Sequence, residues 1–267
     1  MAWKLALHTG TIDRAPIDVA LRVASETGWD AIELRYLDFS RAREAGQSIE
    51  DILAMVRASG LPVSAIGVQR GWMYSEGEEH QRLLGVIGEV CGWATELGAP
   101  IIMSPCDPDP GDLDKAAASV REVGDLLAKH GKTMALELNV GVPQFRTLDR
   151  VRDLLRRANH PHVGLLVDTY HIERGEGGVR TYQDLAPGEI TYFQYSDVPN
   201  APMAPPVNTF DRVPPGQGVV PFAEILAIIR EKGYSGPFSY EALNLAAAER
   251  DPAEVAREAL EASRKLG

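Results

Sequence analysis

Several features are scarce in this 267-residue sequence, and each scarcity excludes a class of protein. There are two cysteines, Cys91 in a helical pattern and Cys106 in a loop after a different strand pattern, so a disulfide framework is not expected. No run of about 18 apolar residues is present to span a membrane. The apolar part of the N-terminal MAWKLALHTG is also too short for a signal peptide. We therefore expect a cytoplasmic protein.

Positive charge is scarce as well. Lysine and arginine number 27 against 38 aspartates and glutamates, which gives a net charge of −11. This balance argues against binding to nucleic acid or to an anionic membrane surface. The densest basic group lies on one predicted helix, where aspartates interrupt it: Arg150, Arg152, Arg156 and Arg157. The expected partner is a small molecule, and a homo-oligomer is left open.

What the sequence does contain is a repeated unit, in which an apolar strand pattern runs into a helix pattern. The eight predicted strands are residues 3–8, 31–35, 63–68, 101–104, 133–138, 163–168, 190–195 and 238–240. Apolar strands that alternate with helices predict a parallel sheet covered on both faces. Eight such units in this length predict a single (β/α)8 TIM barrel. With no linker-like composition to divide the chain, residues 1–267 are expected to form one domain.

An open, doubly wound sheet is the alternative fold. Its dinucleotide-binding members carry GxGxxG in the first strand-to-helix turn, and here that turn reads HTGTID. The number of units also favours the barrel. The Gly-rich segment from the end of the sixth strand to about residue 185 supports no clear prediction of secondary structure.

The seventh strand is followed by an unusually long loop, which is rich in proline from Pro199 to Pro215. Loops of this length inside a compact domain are usually functional. The strand ends near Gln194 and Asp197, and Arg212 is the loop's one cation. We expect the segment between Asp197 and Arg212 to select the substrate.

In a TIM barrel the carboxyl ends of the strands form the active site, so polar residues at those ends are the candidates for function. They are His8, Glu33, Arg35, Glu137, Asp168, Gln194 and Glu241. His160 and His162 have the spacing of metal ligands, but they precede the sixth strand. We therefore expect both histidines on the opposite face of the barrel, as ordinary surface residues.

Four of these candidates are oxygen donors on strands five to eight: Glu137, Asp168, Gln194 and Glu241. Each follows an apolar run, where an unpaired carboxylate is costly. Three carboxylates that converge without a lysine or arginine on the same strand ends would repel one another, and a divalent cation would satisfy them. The alternative is that each pairs separately with an arginine from a loop, such as Arg146, Arg174 or Arg212.

The motifs around these residues resemble the xylose isomerase-like TIM-barrel superfamily. They are Glu137-x-Asn139, Asp168-x-x-His171, Gln194-x-x-Asp197, Arg212-x-x-Pro215-Gly-x-Gly218 and Ser239-x-Glu241. That superfamily includes ketose 3-epimerases, hydroxypyruvate isomerase, inosose dehydratase, 3-dehydroshikimate dehydratase and endonuclease IV. The resemblance implies that the four oxygen donors bind one divalent metal and that Glu137 and Glu241 act as acid and base. It also implies that His171 and Arg212 contact substrate oxygens.

Many members of the superfamily have histidine where this sequence has Gln194. The substitution makes an all-oxygen ligand set, which favours Mn²⁺ or Mg²⁺ over Zn²⁺. A metal-stabilised enediolate would then allow isomerisation or epimerisation of a small keto-sugar or polyol. The same enolate with a β-hydroxyl would lose water, so a dehydratase of a cyclic keto-polyol is the alternative. His8 and Trp72 are further candidate contacts to the substrate.

Two other classes of protein are alternatives. An endonuclease IV-like repair enzyme would need several zinc ions and a basic DNA track, which six histidines and a net charge of −11 do not favour. A non-catalytic sugar-binding protein stays open, because a fold does not fix a function. 3-Dehydroshikimate dehydratase-like sequences tend to carry extra basic residues just before Arg-x-x-Pro-Gly. Residues 207–210 here read VNTF and contain none, which slightly favours an isomerase or epimerase over a dehydratase.

Overall fold

A closed ring of eight parallel strands forms the centre of the protein in the computed structural model, which describes residues 3–175, 177–203 and 209–267. The strands are Leu5–His8 (β1), Ala31–Arg35 (β2), Val63–Gly67 (β3), Ile101–Pro105 (β4), Thr133–Glu137 (β5), Val163–Asp168 (β6), Ile190–Tyr195 (β7) and Phe238–Tyr240 (β8). Neighbours in sequence are neighbours in the ring, and β8 pairs with β1. The predicted single (β/α)8 TIM barrel is confirmed, and each predicted strand agrees with an observed one to within two residues at either end. The assignment of residues 1–267 to one domain stays a prediction.

Helices cover the outside of the ring. In the described residues they are Ile17–Thr27 (α1), Tyr36–Glu44 (α2), Ile49–Ala58 (α3), Gly77–Glu96 (α4), Leu113–Lys129 (α5), Leu148–Ala158 (α6), Thr169–Arg174 (α7), Gly178–Gln183 (α8), Phe222–Glu231 (α9) and Pro252–Arg264 (α10). Helix α2 was not predicted, because its sequence YLDFSRARE is polar and lacks a clear apolar stripe. The short α7 and α8 lie in the Gly-rich segment that supported no prediction. None of the helices in the described residues is long and apolar enough to cross a membrane.

The interior of the ring is filled by a small apolar cluster, separate from the large core that lies between the strands and the helices. Its members are Ala65, Met103, Ala135, Leu166 and Tyr192. Side chains two residues apart on a strand share a face. The next inward positions on β5, β6 and β7 therefore hold Glu137, Asp168 and Gln194. A polar layer thus lies directly above the apolar interior, at the carboxyl ends of the strands.

Candidate active site

The predicted ligand residues lie together at the carboxyl ends of β5 to β8. Strand register places Asp168 beside Gln194, and Gln194 beside Ser239, two residues before Glu241. All four predicted ligands are buried, with Glu241 the most exposed at 6% and Glu137 at 3%. Because each follows an inward position two residues earlier, their side chains enter the same space above the apolar interior.

His171 joins this group from the first turn of α7. Asp168 accepts a hydrogen bond from the amide of Tyr170 (2.7 Å) and so caps the helix that carries His171. His171 Nε2 lies 3.4 Å from Glu137 Oε1 and 4.0 Å from Asp168 Oδ2. Burial lowers the pKa of His171 to about 4, so the imidazole is neutral near pH 7. One potential ligand atom from each of Glu137, Asp168 and His171 lies within 4.8 Å of the others, which makes His171 a further candidate ligand.

A cation enters the site from the loop after β7. Arg212 is 2% exposed, and its Nη1 donates to Asp168 Oδ2 (2.8 Å) and to Glu241 Oε2 (3.1 Å). Its Nη2 lies 3.0 Å from His171 Nε2, and its guanidinium carbon lies 4.5 Å from the centre of the Tyr170 ring. Two of the three carboxylates thus share one loop arginine, whereas the alternative expected each carboxylate to pair separately.

One arginine does not balance three carboxylates. Glu137 Oε1 is buried and has no hydrogen-bond partner in the part of the chain that the structure describes. Burial raises the pKa of Glu137 well above its ordinary value, and the charges of Glu241 and Asp168 raise it further. In the absence of another cation the site therefore holds more acid than it can keep ionised.

Gln194 faces a different acid through its amide nitrogen. Its Nε2 donates to Glu33 Oε1 (3.0 Å), while the Tyr192 hydroxyl donates to Glu33 Oε2 (3.1 Å). Burial raises the pKa of Glu33 to about 8. The other end of the amide, Gln194 Oε1, is buried and has no hydrogen-bond donor among the described residues. Two buried oxygens without donors, one each from Glu137 and Gln194, together with the excess of acid, fit a divalent cation.

A cleft of about 410 Å³ opens beside this layer, over the carboxyl ends of the strands, and it has the size of a small-molecule site. Its lining includes His8, Arg35, Tyr36, Arg70, Met103 and Glu241. His8 Nδ1 accepts from the amide of Gly10 (3.0 Å), which leaves the proton of the neutral imidazole on Nε2, 3.6 Å from Glu241 Oε1. Burial lowers the pKa of His8 to about 3, so the ring stays neutral. Among the predicted catalytic residues, Glu241 is the one that borders the cleft.

Trp72 does not line this cleft. Its side chain is fully buried in the outer core, and its Nε1 donates to Ser104 Oγ (2.9 Å). The cause is Asp107, whose carboxylate accepts from the amides of Gly71 (2.6 Å) and Met73 (2.7 Å), on either side of Trp72. These hydrogen bonds fold the loop inward. The structure therefore corrects the expectation that Trp72 contacts the substrate.

Asp197 anchors the loop that carries Arg212. Its carboxylate accepts from backbone amides at 2.8 to 2.9 Å, those of Val198, Gly216, Gly218 and Val220. A Cβ on Gly218 would lie 2.1 Å from the Val198 carbonyl oxygen, so the turn requires glycine there. The motif residues Asp197 and Gly218 thus act by shaping the backbone. Residues 204–208 lie outside the described part, so the expectation that this segment selects the substrate is untested there.

Two further polar residues, Glu33 and Arg35, lie at the end of β2, and the sequence predicts no specific role for either. Arg35 forms ion pairs with Asp13 (2.5 Å) and Asp38 (2.7 Å), and these neighbours neutralise its charge. Glu33 reaches across the ring to Gln194. The sequence could have indicated this role, because the alternation of side chains along β2 places Glu33 on the inner face of the ring. At the opposite end of the barrel, as predicted, His162 precedes β6 and contacts a backbone carbonyl, with Nδ1 2.7 Å from the oxygen of Lys132.

Comparison with known proteins gives relatives of more than one activity. The 3-dehydroshikimate dehydratase of Pseudomonas putida is 29% identical over 153 residues, which cover 56% of this chain but 24% of that protein, so this chain spans about a quarter of its length. The inosose isomerase of Bacillus velezensis is 21% identical over 239 residues, or 86% of this chain and 85% of that protein.

Similarity to solved structures and to families supports the fold. A crystal structure of the IOLI protein with a bound zinc atom is similar with a TM-score of 0.87 at 19% identity, over 98% of this chain and 97% of that one. The family described as xylose isomerase-like TIM barrel matches residues 21–266. Because this match covers nearly the whole chain, the protein belongs to the xylose isomerase-like TIM barrel family.

Proposed function

We propose that this protein is a divalent-metal-dependent isomerase or epimerase of a small keto-sugar or cyclic polyol. The observation that carries the proposal is the buried layer at the ends of β5 to β8, in which Arg212 pairs with two of the three carboxylates and two oxygens have no donor among the described residues. Such a layer needs a second cation. It also borders a cleft of suitable size through Glu241, so a bound substrate would meet a carboxylate.

The residues that would hold the ion are Glu137, Asp168, Gln194 and Glu241. An ion bound there would polarise a substrate carbonyl and stabilise an enediolate. The all-oxygen set favours Mn²⁺ or Mg²⁺. The IOLI protein structure contains zinc, and His171 Nε2 lies beside Glu137 as a nitrogen donor, so Zn²⁺ belongs in the same titration.

Glu241 and Glu137 would move the proton. Glu241 borders the cleft, so it is the carboxylate that can remove a proton next to a carbonyl. Glu137 lies on β5, three strands from β8 around the ring, and would return the proton from another direction. Return to the neighbouring carbon gives isomerisation, and return to the opposite face of the same carbon gives epimerisation.

His8, His171 and Arg212 would hold the substrate oxygens. The Nε2 proton of His8 faces Glu241 at the edge of the cleft. Arg212 Nε is buried and has no acceptor among the described residues, which leaves one donor for a ligand. Donors of this kind suit the hydroxyl and carbonyl oxygens of a sugar.

A dehydratase is the second candidate, and one feature of the cleft favours it. Arg70 lines the cleft, is exposed, and forms no ion pair with the described residues. A free arginine suits a substrate carboxylate, which a cyclic keto-acid carries and a neutral inosose does not. The Pseudomonas putida dehydratase is one relative whose name matches this chemistry. Loss of a β-hydroxyl from the same enolate would complete the reaction.

One experiment separates the candidates. The protein, loaded with Mn²⁺, is incubated in D₂O with ketoses, inososes or 3-dehydroshikimate, and NMR and ultraviolet absorbance are recorded together. An isomerase or epimerase incorporates deuterium beside the carbonyl and forms a new ketose. A dehydratase forms a conjugated chromophore with loss of water.

The matched variants are Glu241→Gln, in the site, and Asp125→Asn, on the side of His160 at the other end of the barrel. We expect Glu241→Gln to slow exchange by about 100- to 10,000-fold, the usual contribution of a general base. Asp125→Asn should react like the unmodified protein. Binding of these ligands with neither reaction would favour the sugar-binding alternative and contradict the proposal.

A further inference from the structure

We propose that Glu33 is a positioning residue, which determines that the oxygen of the Gln194 amide, and not its nitrogen, is presented to the metal site. The inference rests on the proposed function, because it treats Gln194 as a metal ligand. Glu33 itself lies on β2, on the other side of the ring from Asp168, and contacts none of the other predicted ligands through a hydrogen bond in the described residues.

The physical problem is that an amide has a donor end and an acceptor end. Gln194 is the register partner of Asp168, and Glu137 lies in the same layer. Carboxylates attract N–H donors, so without another constraint the amide would turn its Nε2 toward them. In that orientation a glutamine competes with a cation, since an N–H group cannot ligate a metal.

Glu33 supplies the constraint from the opposite side. Its Oε1 accepts from Gln194 Nε2 at 3.0 Å, which leaves Gln194 Oε1 without a donor among the described residues. Its Oε2 accepts from the Tyr192 hydroxyl at 3.1 Å, and Ser64 Oγ lies 2.8 Å from that hydroxyl. The four side chains are at most 4% exposed, so water does not compete for these hydrogen bonds.

The orientation is therefore set by residues distant in sequence. Glu33 and Gln194 are 161 positions apart, and β2 and β7 lie three strands apart around the ring. A carboxyl group suits this position because both of its oxygens can accept, one from Gln194 and one from Tyr192. Residues that hold a ligand in place in this way commonly change metal affinity by 10- to 100-fold when they are replaced.

The test is the dissociation constant for Mn²⁺, measured calorimetrically on the whole protein without substrate. Glu33→Met removes the acceptor, and we expect Kd to rise about 10- to 100-fold. Glu33→Gln keeps one acceptor oxygen for Gln194 and can donate to the Tyr192 hydroxyl, so Kd should stay within about threefold. Thermal unfolding of each variant reports any loss of folding separately.

A second background isolates orientation from other effects. In Gln194→Glu both ends of the side chain are oxygens, so either orientation presents a ligand atom. Adding Glu33→Met to Gln194→Glu should therefore not weaken Mn²⁺ binding. Asp38→Asn is the matched control, because Asp38 is a buried carboxylate of the same half whose side-chain partners are Thr9 and Arg35, and its Kd should not change.

Three results would overturn the proposal. They are an unchanged Kd in Glu33→Met, an equal loss in Glu33→Gln, which would indicate charge and not orientation, and an equal loss in the Gln194→Glu background. Failure of the proposed function gives a different pattern. If the protein binds Mn²⁺ with the expected dependence on Glu33 but exchanges no protons in D₂O, the positioning role stands and the enzymatic role falls. If it binds no divalent ion, both fall.

Discussion

The two halves of the barrel each contain a largely buried arginine that bridges two carboxylates, but the two arginines differ in the polar atoms around them. In the half formed by β1 to β4, Arg35 pairs with Asp13 and Asp38. In the half formed by β5 to β8, Arg212 pairs with two site carboxylates in the same manner. The local geometry is similar. What differs is the number of buried oxygen atoms near each arginine that have no hydrogen-bond partner.

Around Arg35 no carboxylate oxygen is left buried without a partner in the described residues, whereas around Arg212 two oxygens are, one on Glu137 and one on Gln194. Buried polar groups without partners are costly, and native proteins contain few of them. A cluster of them beside a cleft is typical of a ligand-binding site. We call Arg35, Asp13 and Asp38 the closed cluster, because their charges pair with one another, and it borders the cleft. We call Arg212, Glu137, Asp168, Gln194 and Glu241 the open cluster, because some of its buried oxygens have no partner, and a cation would bind there.

The largest effect should come from Asp168→Asn, which removes the carboxylate at the centre of the open cluster. We expect the Mn²⁺ dissociation constant to rise by more than about 100-fold, since replacing residues that merely support a ligand already costs 10- to 100-fold. Proton exchange in D₂O should fall below detection. Asp38→Asn, in the closed cluster, is the control for loss of a buried carboxylate. Equal Kd values for the two variants would contradict the difference between the halves.

The next effect concerns stability and should distinguish the two arginines. Arg212→Met leaves Asp168 and Glu241 without their cation, and breaking a buried ion pair costs about 3–5 kcal/mol of unfolding free energy. Mn²⁺ at 100 times its Kd adds about 2.7 kcal/mol to any form of the protein that binds it. Because Arg212→Met leaves two carboxylates free for the ion, we expect it to bind Mn²⁺ more tightly than the unmodified protein and to gain more stability at the same Mn²⁺ concentration. Arg35→Met should also destabilise the protein, but Mn²⁺ should not change the loss relative to the unmodified protein. Urea unfolding with and without Mn²⁺ measures the stability of each variant and its gain from the ion. An equal gain in Arg212→Met and Arg35→Met would contradict the predicted difference between the two arginines.

A smaller effect is expected from Asp197→Asn. Asp197 anchors the loop that carries Arg212, but its carboxylate accepts hydrogen bonds from backbone amides. An amide can accept through one atom where the carboxylate now accepts through two, so we expect a loss of about 2–3 kcal/mol in unfolding free energy. Because the loop carries Arg212, proton exchange should slow, while the Kd for Mn²⁺ should change by less than about threefold. Urea unfolding measures the loss of stability, and calorimetry measures the Kd for Mn²⁺. A Kd change as large as that of Asp168→Asn would assign Asp197 to the metal site.

The smallest effect should come from Trp72→Phe. Loss of the hydrogen bond to Ser104 and of part of the ring should cost about 1–2 kcal/mol of stability. Since Trp72 has no exposed surface, KM for the substrate should stay within about twofold. Steady-state kinetics beside thermal unfolding make the measurement. A KM effect without a stability effect would restore the earlier expectation that this ring contacts the substrate.

The strands, and the oxygen donors at their carboxyl ends, could be predicted from the sequence because both depend on local patterns. The period-two alternation of β5 to β7 puts Glu137, Asp168 and Gln194 on one face, and the parallel sheet brings that face together. Helix α2 escaped prediction because its burial comes from neighbours and not from an apolar stripe. The position of Trp72 could not be predicted, because the hydrogen bonds of Asp107 that pull its loop inward join residues that no sequence pattern connects.

The sequence by itself determined the count of strands, their order, the parity of their side chains and the oxygen donors at their ends, since each follows from the spacing of residues a few positions apart. The tertiary structure alone decided how those donors are partnered. It brought Arg212 to Asp168 from 44 positions away, placed His171 beside Glu137, and turned the amide of Gln194 toward Glu33. The physical reason is that hydrogen bonds and ion pairs in a closed ring act across the ring, so their partners are set by the geometry of closure and not by distance along the chain.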